Sequence, residues 1–319
     1  MKHDFGPRRV GELLDDSISL VRANWKTVLG VSAVVLLPIG SAYSVVASFY
    51  LRGFLELFGS GIRTVTSGGT PPQPGQDLLL TAVLLQALSL LYVLAKAMFD
   101  STLFSSSAHL LERRRVPLKE ALRGGVKAVV PLVVVQIIAG LASGGVALAV
   151  GLVLGIVATV LILLLPAVGV VGVVGIGVAY LAGIIAYATT MVMLAVAYPI
   201  VVIEGGIGSA LGRSFRLVRR HFWRVLLILA AIALVGGQFE SALAAPTLIR
   251  EFIVGVTQPS ALLGQIAWGW KVFDGLMQGI AIAVVVPFTS AAVLLTYLDL
   301  RARDEGMDLL VRARELTAA

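Results

Sequence analysis

Two charged residues, Lys96 and Asp100, lie in an apolar stretch that is long enough to cross a membrane. They are four residues apart, so on a helix they share a face and can form an ion pair. A charge inside a membrane span is costly, and by default it is a candidate for an ion or proton path. Because both residues lie past the middle of the stretch, toward its predicted cytoplasmic end, their position favours a structural pair over such a path.

A second charged group occurs where two later apolar stretches end. Glu204 follows one of them, and Asp299, Arg301 and Arg303 follow the other. Carboxylates and arginines at neighbouring helix ends can form salt bridges. We therefore predict a structural cluster that holds the tail against the helix after Glu204.

Catalytic and metal-binding patterns are missing from the sequence. The three histidines, His3, His109 and His221, are widely separated, and there is no cysteine. No nucleophile elbow, zinc-binding helix or phosphate loop is present. We therefore predict no catalytic residue, no metal and no cofactor. The glycine pairs Gly140/Gly144 and Gly151/Gly155 do not belong to a phosphate loop and indicate close helix packing.

The composition indicates the elements that carry these residues. Of 319 residues, 58% are apolar and 13% are charged, whereas soluble domains carry about 25% charged residues. The bilayer is therefore the expected surroundings, and the fold class is an all-α integral membrane protein. The first apolar stretch begins at Val28 and is too long for the core of a signal peptide, so we read it as a retained span.

Six spans are predicted. Residues 128–203 contain no Asp, Glu, Lys or Arg, and this length would reach about 114 Å as one helix. Two helices with a break near Pro166 fit this uncharged stretch better than one helix does. Pro287 is expected to kink the last span. The predicted spans are 28–51, 78–105, 129–157, 167–200, 225–243 and 272–298.

The distribution of Lys and Arg predicts the orientation. Segments 1–26, 112–127, 204–224 and the tail after Leu298 hold five, six, five and four of them. The opposite side holds Arg52, Arg63 and Arg250. Because basic loops stay inside, we predict that both termini lie in the cytoplasm.

An internal repeat is predicted from three similar segments that precede spans. Leu14–Trp25 and Leu211–Phe222 match at an offset of 197, and Leu122–Val129 matches weakly. Helical spacing aligns their apolar residues in one stripe, which favours surface helices before three transmembrane hairpins. The predicted single membrane domain 1–319 then divides into a cytoplasmic helix 1–27, hairpin regions 28–111, 112–203 and 204–298, and a cytoplasmic tail 299–319.

Basic residues of these surface helices are candidates for contact with anionic inner-leaflet lipids, each worth about 1 kcal/mol. The simpler interpretation, which we favour, is that the helices enforce topology and cap the bundle. The candidates are Arg123, Lys127, Arg213, Arg216, Arg220 and Arg224.

Three motifs resemble bacterial proteins of the glycerophosphoryl diester phosphodiesterase membrane domain family. They are Gly11–Ser17 with Trp25 and Leu36-Leu37-Pro38; Tyr198–Gly205 followed by Ala210–Arg219 and Trp223; and Pro287–Asp308. The resemblance implies a six-span protein of the bacterial plasma membrane. Lys96 and Asp100 depart from the family pattern.

These observations favour a non-enzymatic membrane protein, such as a scaffold or an envelope- or lipid-associated partner of other membrane proteins. A transporter or channel subunit is the first alternative and a lipid-modifying enzyme the second. The excess of basic residues is assigned to cytoplasmic loops, so no nucleic-acid partner is expected. The sequence does not indicate the oligomeric state.

Overall fold

The computed structural model describes residues 9–66, 73, 75–106, 118–164, 169–257 and 268–305, and its elements there are α-helices. Apolar side chains favour helices in this setting because a helix satisfies its own backbone hydrogen bonds where lipid offers no partner. The helices are α1 (Val10–Ala23), α2 (Trp25–Thr66), α3 (Gln76–Ser105), α4 (Leu118–Leu164), α5 (Gly169–Leu194), α6 (Ala197–Ile203), α7 (Ile207–Arg220), α8 (Phe222–Thr257) and α9 (Trp268–Glu305).

Among the described residues, six helical segments are long and apolar enough to cross a membrane. By length and composition, the chain is therefore a multi-pass membrane protein. The segments are Trp25–Leu51, Gln76–Ser105, Ala121–Val160, Gly177–Ile203, Phe222–Arg250 and Trp268–Asp304.

The number of spans confirms the prediction, but their limits differ. The fifth span was predicted to end at 243, just past Glu240, whereas α8 continues to Thr257. One carboxylate does not end a helix, because the backbone hydrogen bonds continue past it. Between the third and fourth spans, α4 ends at Leu164 and α5 begins at Gly169; the predicted break at Pro166 lies outside the described residues.

The chain divides into two compact units. The first contains Met1–Asp16, Lys127–Ala231 and Ala292–Ala319, and the second contains Ser17–Val126 and Ile232–Ala291. The predicted division into one domain with three hairpin regions is not tested by these units and stays a prediction.

In the second unit, α2 packs against α3 and α9. Tyr43 stacks on Tyr92 of α3 with ring centroids 6.0 Å apart. A Cβ at Gly279 of α9 would lie 3.0 Å from the Leu37 carbonyl oxygen of α2, so the two backbones approach closely there. This approach requires a residue without a side chain.

The same pair of helices shares a hydrogen bond at a proline. Pro287 has no N–H, so it cannot donate to the carbonyl of Ala283 four residues earlier. Ser32 Oγ of α2 donates to that carbonyl oxygen at 2.6 Å. The serine thus satisfies an acceptor that the proline leaves open inside an apolar helix.

In the first unit, α5 packs against α4, and α7 packs against α5 and α6. A Cβ at Gly183 of α5 would lie 3.3 Å from the Ala147 carbonyl oxygen of α4. Ser214 Oγ of α7 donates to the Met193 carbonyl oxygen at 2.8 Å. The turn before α7 contains Gly205 and Gly206 at φ 77° and 80°, a conformation that favours glycine.

Of the glycines predicted to allow close packing, Gly151 of α4 lies at such an approach: a Cβ at Gly183 of α5 would lie 4.0 Å from the Gly151 Cα. A Cβ at Gly140, Gly144, Gly151 or Gly155 would meet nothing within 4 Å. A closer approach occurs at a pair with the same spacing, Gly275 and Gly279. Spacing alone cannot distinguish these cases, because it does not show which helix face meets a neighbour.

Candidate functional site

Asp299 lies near the C-terminal end of α9 and is buried, with a side chain that is 1% exposed. Arg224 Nε of α8 donates to Asp299 Oδ2 at 3.0 Å, and Arg303 Nε, one turn further along α9, donates to the same oxygen at 3.1 Å. Charge-assisted hydrogen bonds of this kind satisfy a buried carboxylate. One turn of α9 is thereby joined to the start of α8.

Glu204, directly after α6, joins three helices. It accepts a hydrogen bond from the hydroxyl of Tyr297, which is fully buried. Arg301 Nη1 lies 3.9 Å from Glu204 Oε1, and Arg213 Nε of α7 lies 3.1 Å from Glu204 Oε2. Arg301 also donates to the Tyr297 hydroxyl at 3.3 Å, so the tail of α9 and the α6–α7 turn share one polar network.

The contacts of Asp304 are the most exposed to solvent in this group. Arg220 Nη1 lies 3.4 Å from Asp304 Oδ2, and His221 Nε2 lies 3.3 Å from Asp304 Oδ1. The Arg220 side chain is 72% exposed. Solvent therefore screens this pair far more than the pairs at Asp299.

We call these residues the arginine–carboxylate cluster. In it, five arginines contact three carboxylates: Arg213, Arg220, Arg224, Arg301 and Arg303 with Glu204, Asp299 and Asp304. The arginine charges exceed the carboxylate charges by two. Arg216 and Arg219 of α7 are exposed and add to this positive charge.

The structure divides the predicted tail residues into two groups, with Arg301 beside Glu204 and Arg303 beside Asp299. The candidate lipid contacts fall into two groups. Arg213, Arg220 and Arg224 contact carboxylates, whereas Arg123, Lys127 and Arg216 are exposed. The carboxylate partners of Arg220 and Arg224 lie more than seventy residues away in the chain, so spacing along one helix could not indicate them.

Tyr297, Asp304 and His221 were not predicted to belong to this cluster. The spacing of four between Tyr297 and Arg301 matches that between Asp299 and Arg303 and was an available signal. No local signal connects His221 with Asp304, because their contact depends on the arrangement of α8 and α9.

A separate polar site lies in the second unit and contains the predicted pair of Lys96 and Asp100. Lys96 Nζ donates to Asp100 Oδ2 at 2.5 Å, and the side chains are 32% and 1% exposed. Ser290 Oγ of α9 donates to Asp100 Oδ1 at 2.5 Å. The serine was not predicted; it gives the buried carboxylate a partner on each oxygen.

Within the described ranges, no three His, Asp or Glu residues are grouped so that they could hold a metal ion. No family model, curated protein or solved structure matches the chain.

Proposed function

We propose that this chain is a non-enzymatic scaffold of the bacterial plasma membrane. Its arginine-rich face, formed by the exposed Arg216 and Arg219 of α7, binds anionic lipid headgroups and acidic partner proteins. The observation that carries the proposal is the excess of arginines over carboxylates in the cluster, with Arg216 and Arg219 exposed beside it. Each arginine near an anionic leaflet contributes about 1 kcal/mol.

The arginines in and beside the cluster have two different roles. Arg224 and Arg303 compensate the buried Asp299 and hold helix ends together. Arg216 and Arg219 are exposed and can meet a partner. The proposed binding face is therefore the exposed pair, and the paired arginines keep its helix in place.

The proposed orientation, with both termini and the cluster in the cytoplasm, is supported by the bias of Lys and Arg toward one side. The proposed internal repeat is supported by burial, because α1 and α7 bury equivalent positions at the offset of 197. These are Leu13, Ser17 and Leu20 in α1 and Ala210, Ser214 and Leu217 in α7. The resemblance to the phosphodiesterase membrane domain family stays a prediction.

Trp223, which is 72% exposed at the start of α8, can report on lipid at this face. A protein that keeps only this tryptophan (Trp25→Phe, Trp268→Phe, Trp270→Phe) would be reconstituted in phosphatidylcholine vesicles. We expect a minor fraction of acyl-brominated phosphatidylglycerol to quench Trp223 more than the same fraction of brominated phosphatidylcholine does.

The double change Arg216→Gln/Arg219→Gln should remove most of this preference, and Arg216→Lys/Arg219→Lys should retain it because the charge remains. Equal quenching by both lipids in the parent protein would refute a lipid-binding face. If the Gln variant keeps the full preference, the exposed arginines are not its source.

A transporter or channel is a second candidate, favoured by the buried contacts of Asp100 with Lys96 and Ser290. Buried ionisable groups in spans commonly mark ion or proton paths. The double variant Lys96→Met/Asp100→Asn removes both charges while an amide remains to accept from Ser290. Proton flux in reconstituted vesicles under an imposed potential should then be lost. Flux that is absent in the parent protein, or unchanged in the variant, would exclude this path.

A further inference from the structure

A groove of about 310 Å³ lies within the second unit. Its walls come from the α1–α2 junction, α8 and α9. The lining residues are Ile18, Val21, Arg22, Trp25 and Leu29 from α1 and α2; Val235, Gly236 and Phe239 from α8; and Val284, Val285 and Phe288 from α9. Among them Arg22 is charged and the others are apolar.

The groove is suited to a hydrocarbon chain. Its volume falls at the lower end of the range of about 300–1,000 Å³ that small-molecule sites occupy. Water would find few polar partners there, which makes an aqueous filling unfavourable. Three of the helices that line it carry candidate membrane spans, so lipid chains are the surrounding medium.

Exposed apolar side chains extend the groove toward its surroundings. Ile18 is 51% exposed, Trp25 55% and Phe239 40%. Ile18 and Trp25 belong to the apolar stripe that the sequence predicts for α1. The described residues leave these side chains exposed, so they can contact a bound chain.

Arg22 supplies the charge complementarity. It lies in the last turn of α1, lines the groove and is exposed. A guanidinium matches phosphate oxygens in charge and in hydrogen-bond geometry. We propose that the groove binds an acyl chain of an anionic phospholipid whose headgroup phosphate contacts Arg22.

This site shares no residue with the arginine-rich face proposed above. A second copy of the chain, or an apolar helix of a partner protein, could also cover an apolar groove. Neither occupant would require a cation at Arg22, and the lipid is distinguished from both by its headgroup.

Trp25 lines the groove and can report on its occupant. A protein that keeps only Trp25 (Trp223→Phe, Trp268→Phe, Trp270→Phe) would be reconstituted in phosphatidylcholine vesicles. These would contain a minor fraction of acyl-brominated phosphatidylglycerol or of brominated phosphatidylcholine. From quenching of Trp25, we expect an apparent preference of about fivefold for phosphatidylglycerol.

Arg22→Gln should reduce this preference to near parity, while the matched change Arg9→Gln at another exposed cation should leave it unchanged. Val235→Phe/Val284→Phe fills the groove and should reduce quenching by both lipids. Far-UV circular dichroism and size-exclusion chromatography would verify that each variant folds.

Equal quenching by the two lipids in the parent protein would overturn the proposal. So would weak quenching by both, since that result means that a protein surface covers the groove. Because Trp25 reports on the groove and Trp223 on the arginine-rich face, either proposal can fail while the other holds.

Discussion

At the scale of single residues, Asp299 and Asp304 differ in how much their ion pairs should contribute to stability. Asp299 is 1% exposed and contacts two arginines, whereas Asp304 contacts an arginine that is 72% exposed. Removing one partner of a buried ion pair leaves a charge without compensation, which costs more than losing a solvent-screened pair. The same substitution should therefore have different effects at the two positions.

Asp299→Asn should lower the free energy of unfolding by about 3 kcal/mol, because Arg224 and Arg303 lose their shared counter-charge. Asp304→Asn is the matched control and should cost about 1 kcal/mol or less. Titration with sodium dodecyl sulfate in mixed micelles would measure both. Equal losses would show that burial does not set the strength of these pairs.

At the scale of the helices, α2 and α9 illustrate two means of close association. Gly275 and Gly279 allow backbones to approach, and Ser32 completes the hydrogen bonding that Pro287 interrupts. Apolar burial gives little preference for one helix partner over another in lipid, so packing and hydrogen bonds select the contact.

Gly279→Ala should destabilise the protein by about 1–3 kcal/mol, because the new methyl group would meet the Leu37 carbonyl oxygen at 3.0 Å. Gly237→Ala in α8 is the control, since a Cβ there meets nothing within 4 Å. Its stability should be unchanged or slightly higher. The same unfolding titration would compare them, and a neutral Gly279→Ala would contradict the close approach.

Ser32→Ala should cost about 1–3 kcal/mol, because the Ala283 carbonyl then lacks a donor. Pro287→Ala restores a backbone N–H, so in that background the cost of Ser32→Ala should be smaller. A double-mutant cycle in mixed micelles would measure this coupling. Additive losses would show that the serine does not substitute for the missing N–H.

At the scale of the whole molecule, the six-span scheme predicts that the basic segments share one side. Reporter fusions after residues 118, 212 and 310 should indicate the cytoplasm, and fusions after 65, 163 and 255 the opposite side. Enzymatic reporters that are active in only one compartment would measure this. Opposite results for 118 and 212 would refute the scheme and the threefold repeat with it.

The sequence by itself determined the class of protein and the number of apolar spans. It could do so because hydropathy sums over about 20 neighbouring residues, and a helix in lipid satisfies its backbone locally. It also indicated the Lys96–Asp100 pair, since a spacing of four places both members on one helix face.

Only the tertiary structure decided which distant groups meet. Arg224 contacts Asp299, Ser290 contacts Asp100, and Ser32 contacts the Ala283 carbonyl across separations of 75 to 251 residues. The use of Gly275 and Gly279, and not Gly140 and Gly144, for close packing was decided in the same way. These contacts depend on which helix faces pack together, and a periodic pattern within one helix carries no information about its neighbour.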